Sequence, residues 1–200
     1  LFDKLKDWKD KGLFAYYGAG WNDNQKPFEE GKVAFWIGSS GSLGGLQKTA
    51  TMPFSATFPP YWGSIKGAGT NSFIGGAALF AMSGKSEAEN KCVADFFQFL
   101  TSPEIQVFYH KATGYVAITK AAYEKAKAEG FYKEKPVAEV GIQQLSLPGG
   151  EWSKGYRLGF YPQIRAVMER EYNRIFSGDV TPMDAFDIIE KEGNDLLARF

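Results

Sequence analysis

The chain has few of the residues on which most protein chemistry depends. Cys92 is its single cysteine, so no internal disulfide can form and a disulfide-stapled scaffold is excluded. As a lone thiol on a helical pattern, Cys92 reads as a small buried hydrophobe. His110 is the single histidine. A Ser-His-Asp hydrolase would have to use it, yet it sits in a helical segment, reads as a partly exposed helix residue, and has no G-x-S-x-G elbow to serve. One His and one Cys are too few for an ordinary zinc site, and the D-x-D-x-D-G pattern of a calcium loop is absent. No metal and no cofactor is expected. No apolar run approaches the roughly 18 residues of a membrane-spanning helix. The 23 basic and 23 acidic residues cancel to zero net charge, so nothing steers the chain toward nucleic acid or an anionic membrane. No carboxylate pair stands out for glycoside hydrolysis; pairs such as Glu29-Glu30 read as solvated. Arginine is missing from the first 150 residues, and every arginine lies between 157 and 199.

Core material is plentiful. Hydrophobic residues make up 44% of the 200 residues, with 17 Phe, 10 Tyr and 5 Trp, which excludes disorder and suffices for one large domain or two small ones. The start of the chain lies inside a helical pattern (Leu1, Leu5, Trp8), and the sequence reads as a piece of something longer. The expected class is α/β. Strands are expected at 33–37 and about 72–82, the second broken by Gly75-Gly76. Helices are expected at 1–11, 42–50, 86–100, 103–113, 119–130, about 136–146, from 162, and from 181 toward 200. Their ends carry recognisable signals. Ser86-Glu87-Ala88-Glu89 is a capping box, Pro103, Pro162 and Pro182 suit first helical positions, and Gly12 and Gly114 suit helix stops.

Four features carry candidate chemistry. Val33–Ile37 stops at Gly38 and Ser39-Ser40-Gly41-Ser42 before a helix, a strand-to-helix turn of the kind that forms ligand sites in α/β folds. Its serines offer hydroxyls and its helix start offers unpaired N–H groups for an anion; a plain cap is the simpler use of such a serine. Gly75-Gly76 marks either a bend or a place where a ligand approaches the backbone. Tyr115 follows a helix-ending glycine and serves either as a ligand contact or in the core. Arg165 lies off the apolar stripe of its helix, where it either pairs with Glu169 at i+4 or clamps a phosphate or carboxylate with both arms. Trp21, Trp36, Trp62 and Trp152 fill cores or stack on sugar rings.

Several of these segments occur in a familiar series. Phe28-x-x-Gly31-Lys32-x-Ala34-Phe35, the run Gly75-Gly76-Ala77 through Ser83-Gly84-Lys85, Phe96 to Tyr115 (FFQFLTSPEIQVFYHKATGY) and Gly178 to Ala185 (GDVTPMDA) resemble the motifs of the family 1 extracellular solute-binding proteins of ABC importers. Ser39–Leu43, Thr119–Tyr123, Gly130-Phe131-Tyr132 and Gly155–Gly159 with Pro162-Gln163-Ile164-Arg165 are similar to the branch of that family that binds sn-glycerol-3-phosphate and glycerophosphodiesters. The resemblance implies a helix-rich lobe of the type II periplasmic-binding-protein fold, a fragment of a two-lobed whole. By that analogy 1–75 and 116–200 belong to the second lobe, and 76–115 returns to the first. It implies a periplasmic or extracellular location, a small-molecule phosphate ligand, importer transmembrane subunits as partners, a monomer when complete, and hinge closure without catalysis. The ligand contacts it implies are Ser39, Gly76, Tyr115 and Arg165. Ala117 stands where the family often has proline, and Phe160-Tyr161 departs from the phosphate-binding branch, both near the glycerol or its head group. An oligosaccharide binder of the same family and a hydrolase are the rival readings.

Overall fold

The computed structural model describes residues 1–20, 23–69, 71–72, 74–149, 155 and 157–199. The chain divides into two compact units, Leu1–Trp36 with Tyr156–Phe200, and Ile37–Gly155. Among the described residues there are helices and no strand, which corrects the expected strands at 33–37 and 72–82. Both segments have strand-forming residues, but a strand exists only through hydrogen bonds to a neighbour, and no such ladder forms among the described residues. Several of their apolar side chains face outward: Phe35 is 91% and Phe80 82% exposed. β-propensity describes a side chain that fits a half-buried pleated surface, and it cannot supply that surface.

The first unit rests on a pair of long helices. Helix α9 (Tyr161–Ser177) ends at Gly178, whose φ of 93° lets the chain turn into α10 (Pro182–Leu197). Thr181 caps α10 by accepting the Asp184 N–H at 3.2 Å. Ile164, Val167, Ile175 and Phe176 form the buried stripe of α9 much as the spacing predicts. Glu171 joins that stripe although it is charged and fully buried. Arg170 Nε and Arg174 Nη1 donate to its two oxygens at 2.7 and 2.8 Å, which restores the hydrogen bonds lost from water. Arg170 also grips Glu192 on α10 through both arms, at 2.7 and 3.3 Å. Helix α1 (Phe2–Asp10) adds Phe2, stacked on Tyr172 at 4.9 Å and edge-on to Phe186 at 5.2 Å. Tyr16 stacks on Phe176 at 4.3 Å and donates to Asn173 at 2.8 Å. A short helix, α2 (Gln25–Glu29), buries Phe28, on which Trp36 stacks.

The second unit holds α3 (Leu43–Thr49), α4 (Glu87–Leu100), α5 (Pro103–Thr113), α6 (Lys120–Ala128), α7 (Phe131–Glu134) and α8 (Val140–Leu145). Pro136 opens a 3-10 turn between the last two, so the single helix expected over 136–146 is broken. The core gathers Leu43, Val107, Ala122, Ala126, Phe131, Tyr132 and Ala138. Helix α3 meets the end of α5 through glycine. A Cβ on Gly44 would stand 2.8 Å from the Ala112 carbonyl oxygen, and one on Gly114 only 2.6 Å from the Ser40 carbonyl oxygen. Gly114 is also left-handed, at φ 86°, so two constraints select glycine there. Helix α4 carries the expected capping box between Ser86 and Glu89, yet it buries no residue. Phe96 and Phe99 on its apolar stripe are exposed, and so is Cys92, which corrects the reading of that thiol as buried.

His110 is buried at 1% exposure, which overturns its reading as a partly exposed helix residue. It lies one turn beyond Val107 on the inner face of α5. Its Nδ1 is 2.6 Å from the Tyr115 carbonyl oxygen, and its Nε2 is 3.1 Å from the Tyr132 hydroxyl. A carbonyl only accepts, so Nδ1 carries the proton; Nε2 then accepts from Tyr132, and the ring is neutral. Burial pushes the His110 pKa below its usual 6.5, against the pull of the Tyr115 carbonyl and with help from Lys111. Burial likewise raises the Tyr132 hydroxyl to about 12, so it stays a donor.

Two outcomes follow from this packing. Gly114→Ala is expected to cost about 2–4 kcal/mol, because backbone strain and a backbone clash coincide. Gly130→Ala, left-handed but with open space around it, costs about 1 kcal/mol; equal losses in chemical denaturation would refute the clash. The second outcome concerns pH. The unfolded chain takes up a proton on His110 below its ordinary 6.5 while the folded chain resists it. Stability is therefore whole above about pH 6.5 and falls as pH drops through 6.5 toward the depressed folded value. The lowered carboxyls of Glu30, Glu89, Glu129 and Glu192 add a loss of the same sign only below their ordinary 4.5. The melting temperature should thus decline between about pH 6.5 and pH 5, and His110→Asn should flatten that decline. An unchanged slope in His110→Asn would assign the titration elsewhere.

Candidate functional site

Three of the four candidate residues come together in the second unit. Ser39 is extended, and its Oγ accepts the Gly41 N–H at 3.2 Å, starting the 3-10 turn Ser40–Ser42 that runs into α3. The serine is thus a cap, and it is also exposed, with its hydroxyl proton available. Gly114 ends α5 and delivers Tyr115 beside that turn. Both backbone groups of Tyr115 are pinned by side chains. Its N–H donates to Thr113 Oγ1 at 3.1 Å, and its carbonyl accepts from His110 at 2.6 Å.

The Tyr115 ring lies so close over Gly41 that a Cβ there would stand 2.8 Å from Cε2. A Cβ on Gly76 would stand 3.9 Å from Cε1 on the opposite edge, and Tyr109 lies at 5.8 Å. Gly76 has φ 122°, a conformation that favours glycine, and it is exposed. Tyr115 itself is 43% exposed, which does not suit the core reading, and among the described residues its hydroxyl makes no hydrogen bond. The result is a phenol set between a serine turn and a glycine backbone, a set of short-range donors with no formal charge.

Arg165 belongs to the first unit. It sits one turn inside α9, whose first residues are entered through Phe160 at φ 52°. Phe160 is the one non-glycine residue with positive φ among the described residues. A left-handed aromatic costs about 1–2 kcal/mol and persists only where its surroundings hold it. Arg165 Nε donates to Glu169 at 3.0 Å, so the i+4 pairing is present. Among the described residues its two terminal nitrogens make no hydrogen bond, and the side chain is half exposed. It borders an open cleft of about 230 Å³ lined by Tyr16, Ala19, Tyr161, Met168, Glu169 and Tyr172. The Glu169 pair and a bidentate clamp are compatible, because they use different nitrogens.

Trp21, Trp152 and Tyr156 lie outside the described residues. Trp36 is taken up by its stack on Phe28, and Trp62 is 47% exposed. Among the described residues no three His, Cys, Asp or Glu side chains group as a metal site. The residues that sequence reasoning missed are His110 and Tyr132, which hold Tyr115 from behind. Their signal was the spacing of Val107 and His110 along one helix face.

Comparison with known proteins places this geometry in a family. Residues 1–139 match the model of the family described as bacterial extracellular solute-binding protein. The chain is 41% identical to the sn-glycerol-3-phosphate-binding periplasmic protein UgpB of Pectobacterium atrosepticum, across 98% of this chain and 44% of that protein. The protein of the same name from Yersinia pseudotuberculosis is 41% identical, over 98% of this chain and 45% of its own length. The crystal structure of UgpB from Mycobacterium tuberculosis in complex with glycerophosphocholine superimposes with a TM-score of 0.80. It is 23% identical, and the match covers 99% of this chain and 48% of that one, so the fold is shared. Among the described residues this chain's share of that fold is helical, so the expected α/β class is met only in its helices. The chain spans less than half the length of the curated relatives it matches. With more than half of its residues matched by the family model, this chain belongs to the bacterial extracellular solute-binding proteins.

Proposed function

We propose that the protein carrying this chain is the solute-binding component of an ABC importer, and that it captures sn-glycerol-3-phosphate or a glycerophosphodiester. The observation that carries the reading is the 41% identity, across 98% of the chain, to proteins named as sn-glycerol-3-phosphate-binding. The arrangement of Ser39, Gly76 and Tyr115 supports it, and so does the Arg165 fork. A phosphate leaving water must regain hydrogen bonds and countercharge, or binding costs several kcal/mol. Tyr115 and Ser39 supply hydroxyl donors, Gly76 allows close approach of the backbone, and Arg165 supplies charge in a fork that matches two phosphate oxygens. A protein of zero net charge can still bind an anion, because hydrogen-bond donors and countercharge act over short range.

The lobe assignment is part of the proposal. Residues 1–75 and 116–200 would form the second lobe, and 76–115 would return toward the first. Within that segment α5 is anchored to the second unit by Val107 and His110. The part available to reach another lobe is α4 and the run before it, where Leu79, Phe80, Phe96 and Phe99 are exposed. Ligand would hold the two lobes closed by binding that form more tightly, and the closed form would dock on the importer's membrane subunits. The proposal includes a periplasmic or extracellular-face location, a monomer, and release of the solute chemically unchanged.

The test is calorimetric titration of the full-length protein with sn-glycerol-3-phosphate, glycerophosphocholine and maltose. Binding of either phosphate ligand without maltose is expected. Binding of maltose alone would keep the family and discard the phosphate site, and turnover of any ligand would point to a hydrolase. Arg165→Ala is expected to weaken the phosphate ligands by roughly 2–4 kcal/mol, since a buried charge-assisted pair is lost. Unchanged affinity in Arg165→Ala would remove that residue from the site.

A further inference from the structure

Tyr115 presents an exposed ring on a backbone that is held at both ends. Thr113 Oγ1 accepts its N–H at 3.1 Å, and His110 Nδ1 donates to its carbonyl at 2.6 Å. The peptide plane after Tyr115 sets ψ, and with φ it sets the direction of the Cα–Cβ bond, so the imidazole aims the phenol. Tyr132 completes the arrangement by donating its hydroxyl to Nε2 at 3.1 Å, which keeps the proton on Nδ1 and the donor directed at Tyr115. Phe131 lies edge-on to the same imidazole at 5.5 Å and limits its rotation. The ring is sealed from solvent at 1% exposure, so it cannot touch a ligand and can act only through what it holds.

We infer that His110, locked by Tyr132, is a positioning residue for ligand capture. It holds the Tyr115 phenol between Gly41 and Gly76 in the orientation that meets the ligand's phosphate. The inference rests on the solute-binding reading above and adds to it a pair of residues behind the contact surface. It explains why a polar ring is buried against Phe131 and Tyr132 of the hydrophobic core, where a leucine would pack without needing partners. Holding the phenol in place before binding leaves less side-chain freedom to be lost on binding.

The experiment is a double-mutant cycle in the full-length protein, read by calorimetric titration with glycerophosphocholine. That ligand is a phosphodiester without the second phosphate ionisation near pH 6, so its own charge is constant around neutral pH. Tyr132→Phe, which keeps the ring and loses one hydroxyl, is expected to weaken binding about threefold, and His110→Leu about tenfold. In a Tyr115→Ala background both effects should shrink to less than about twofold, because the residue through which they act is gone. His110→Asn, whose amide N–H reaches toward the Tyr115 carbonyl, should restore most of the affinity lost in His110→Leu. A merely structural histidine gives a different pattern, with equal weakening whether or not Tyr115 is present. That result, or undiminished affinity in both Tyr132→Phe and His110→Leu, overturns the inference while leaving the solute-binding reading intact. If His110→Leu fails to fold, the Tyr132→Phe arm of the cycle decides alone. Failure of the unaltered protein to bind glycerophosphocholine or sn-glycerol-3-phosphate at all would overturn both.

Discussion

A neutral imidazole shut away from water must find partners for both nitrogens, and His110 finds them in the Tyr115 carbonyl and the Tyr132 hydroxyl. That constraint ties three stretches of chain together: the inner face of α5, the extended residues after it, and α7. The Tyr115 carbonyl would otherwise be a loose acceptor at the mouth of a loop. The Tyr132 hydroxyl would otherwise be a polar group stranded in an apolar cluster, at a cost of about 1–3 kcal/mol. One ring satisfies both, and the geometry of Tyr115 follows from it.

The serine turn is held against Tyr115 by a different device. Gly44 and Gly114 let α3 and the end of α5 approach through their backbones, with no side chain between them. Gly41 extends the same logic under the Tyr115 ring. The three glycines mark places where a Cβ has no room. Gly130 and Gly178 do other work, since they turn the chain in open space. The first unit solves its problem with charge. Glu171 is buried because two arginines reach it, and Arg170 then spends its remaining arms on Glu192 to join α9 to α10. Arg165, one turn from the strained entry at Phe160, is the arginine of that helix whose terminal nitrogens make no hydrogen bond among the described residues.

Large apolar surfaces remain open on this chain. The stripe of α4 and the non-helical run through Leu79, Phe80 and Met82 expose side chains that a folded protein ordinarily buries. The α4 stripe is amphipathic in the manner of a helix that packs on something, and the capping box shows that its sequence specifies the helix locally. The same segments are those that the proposed lobe arrangement sends away from the second lobe.

Helix positions were legible because their signals are local. A capping box at Ser86, prolines at 103, 162 and 182, and glycines after 11 and 113 act within a turn of where they stand, and the helices begin and end beside them. The candidate residues were legible as types, a serine before a helix, a glycine in an extended run, a tyrosine after a stop, and an arginine off the stripe. Strands were not legible in the same way, since Val33–Ile37 and the run after Asn71 have the propensity but a ladder needs a partner that no local pattern provides. The burial of His110 and Glu171 was likewise beyond local reading. A polar side chain enters a core only when distant residues, Tyr132 for one and Arg170 with Arg174 for the other, arrive to meet it. Residue chemistry and helix limits were therefore set by the order of amino acids over a few residues. The assembly of Ser39, Gly76 and Tyr115 around one ring was decided only by tertiary packing, because it depends on close backbone approach between segments far apart in the chain.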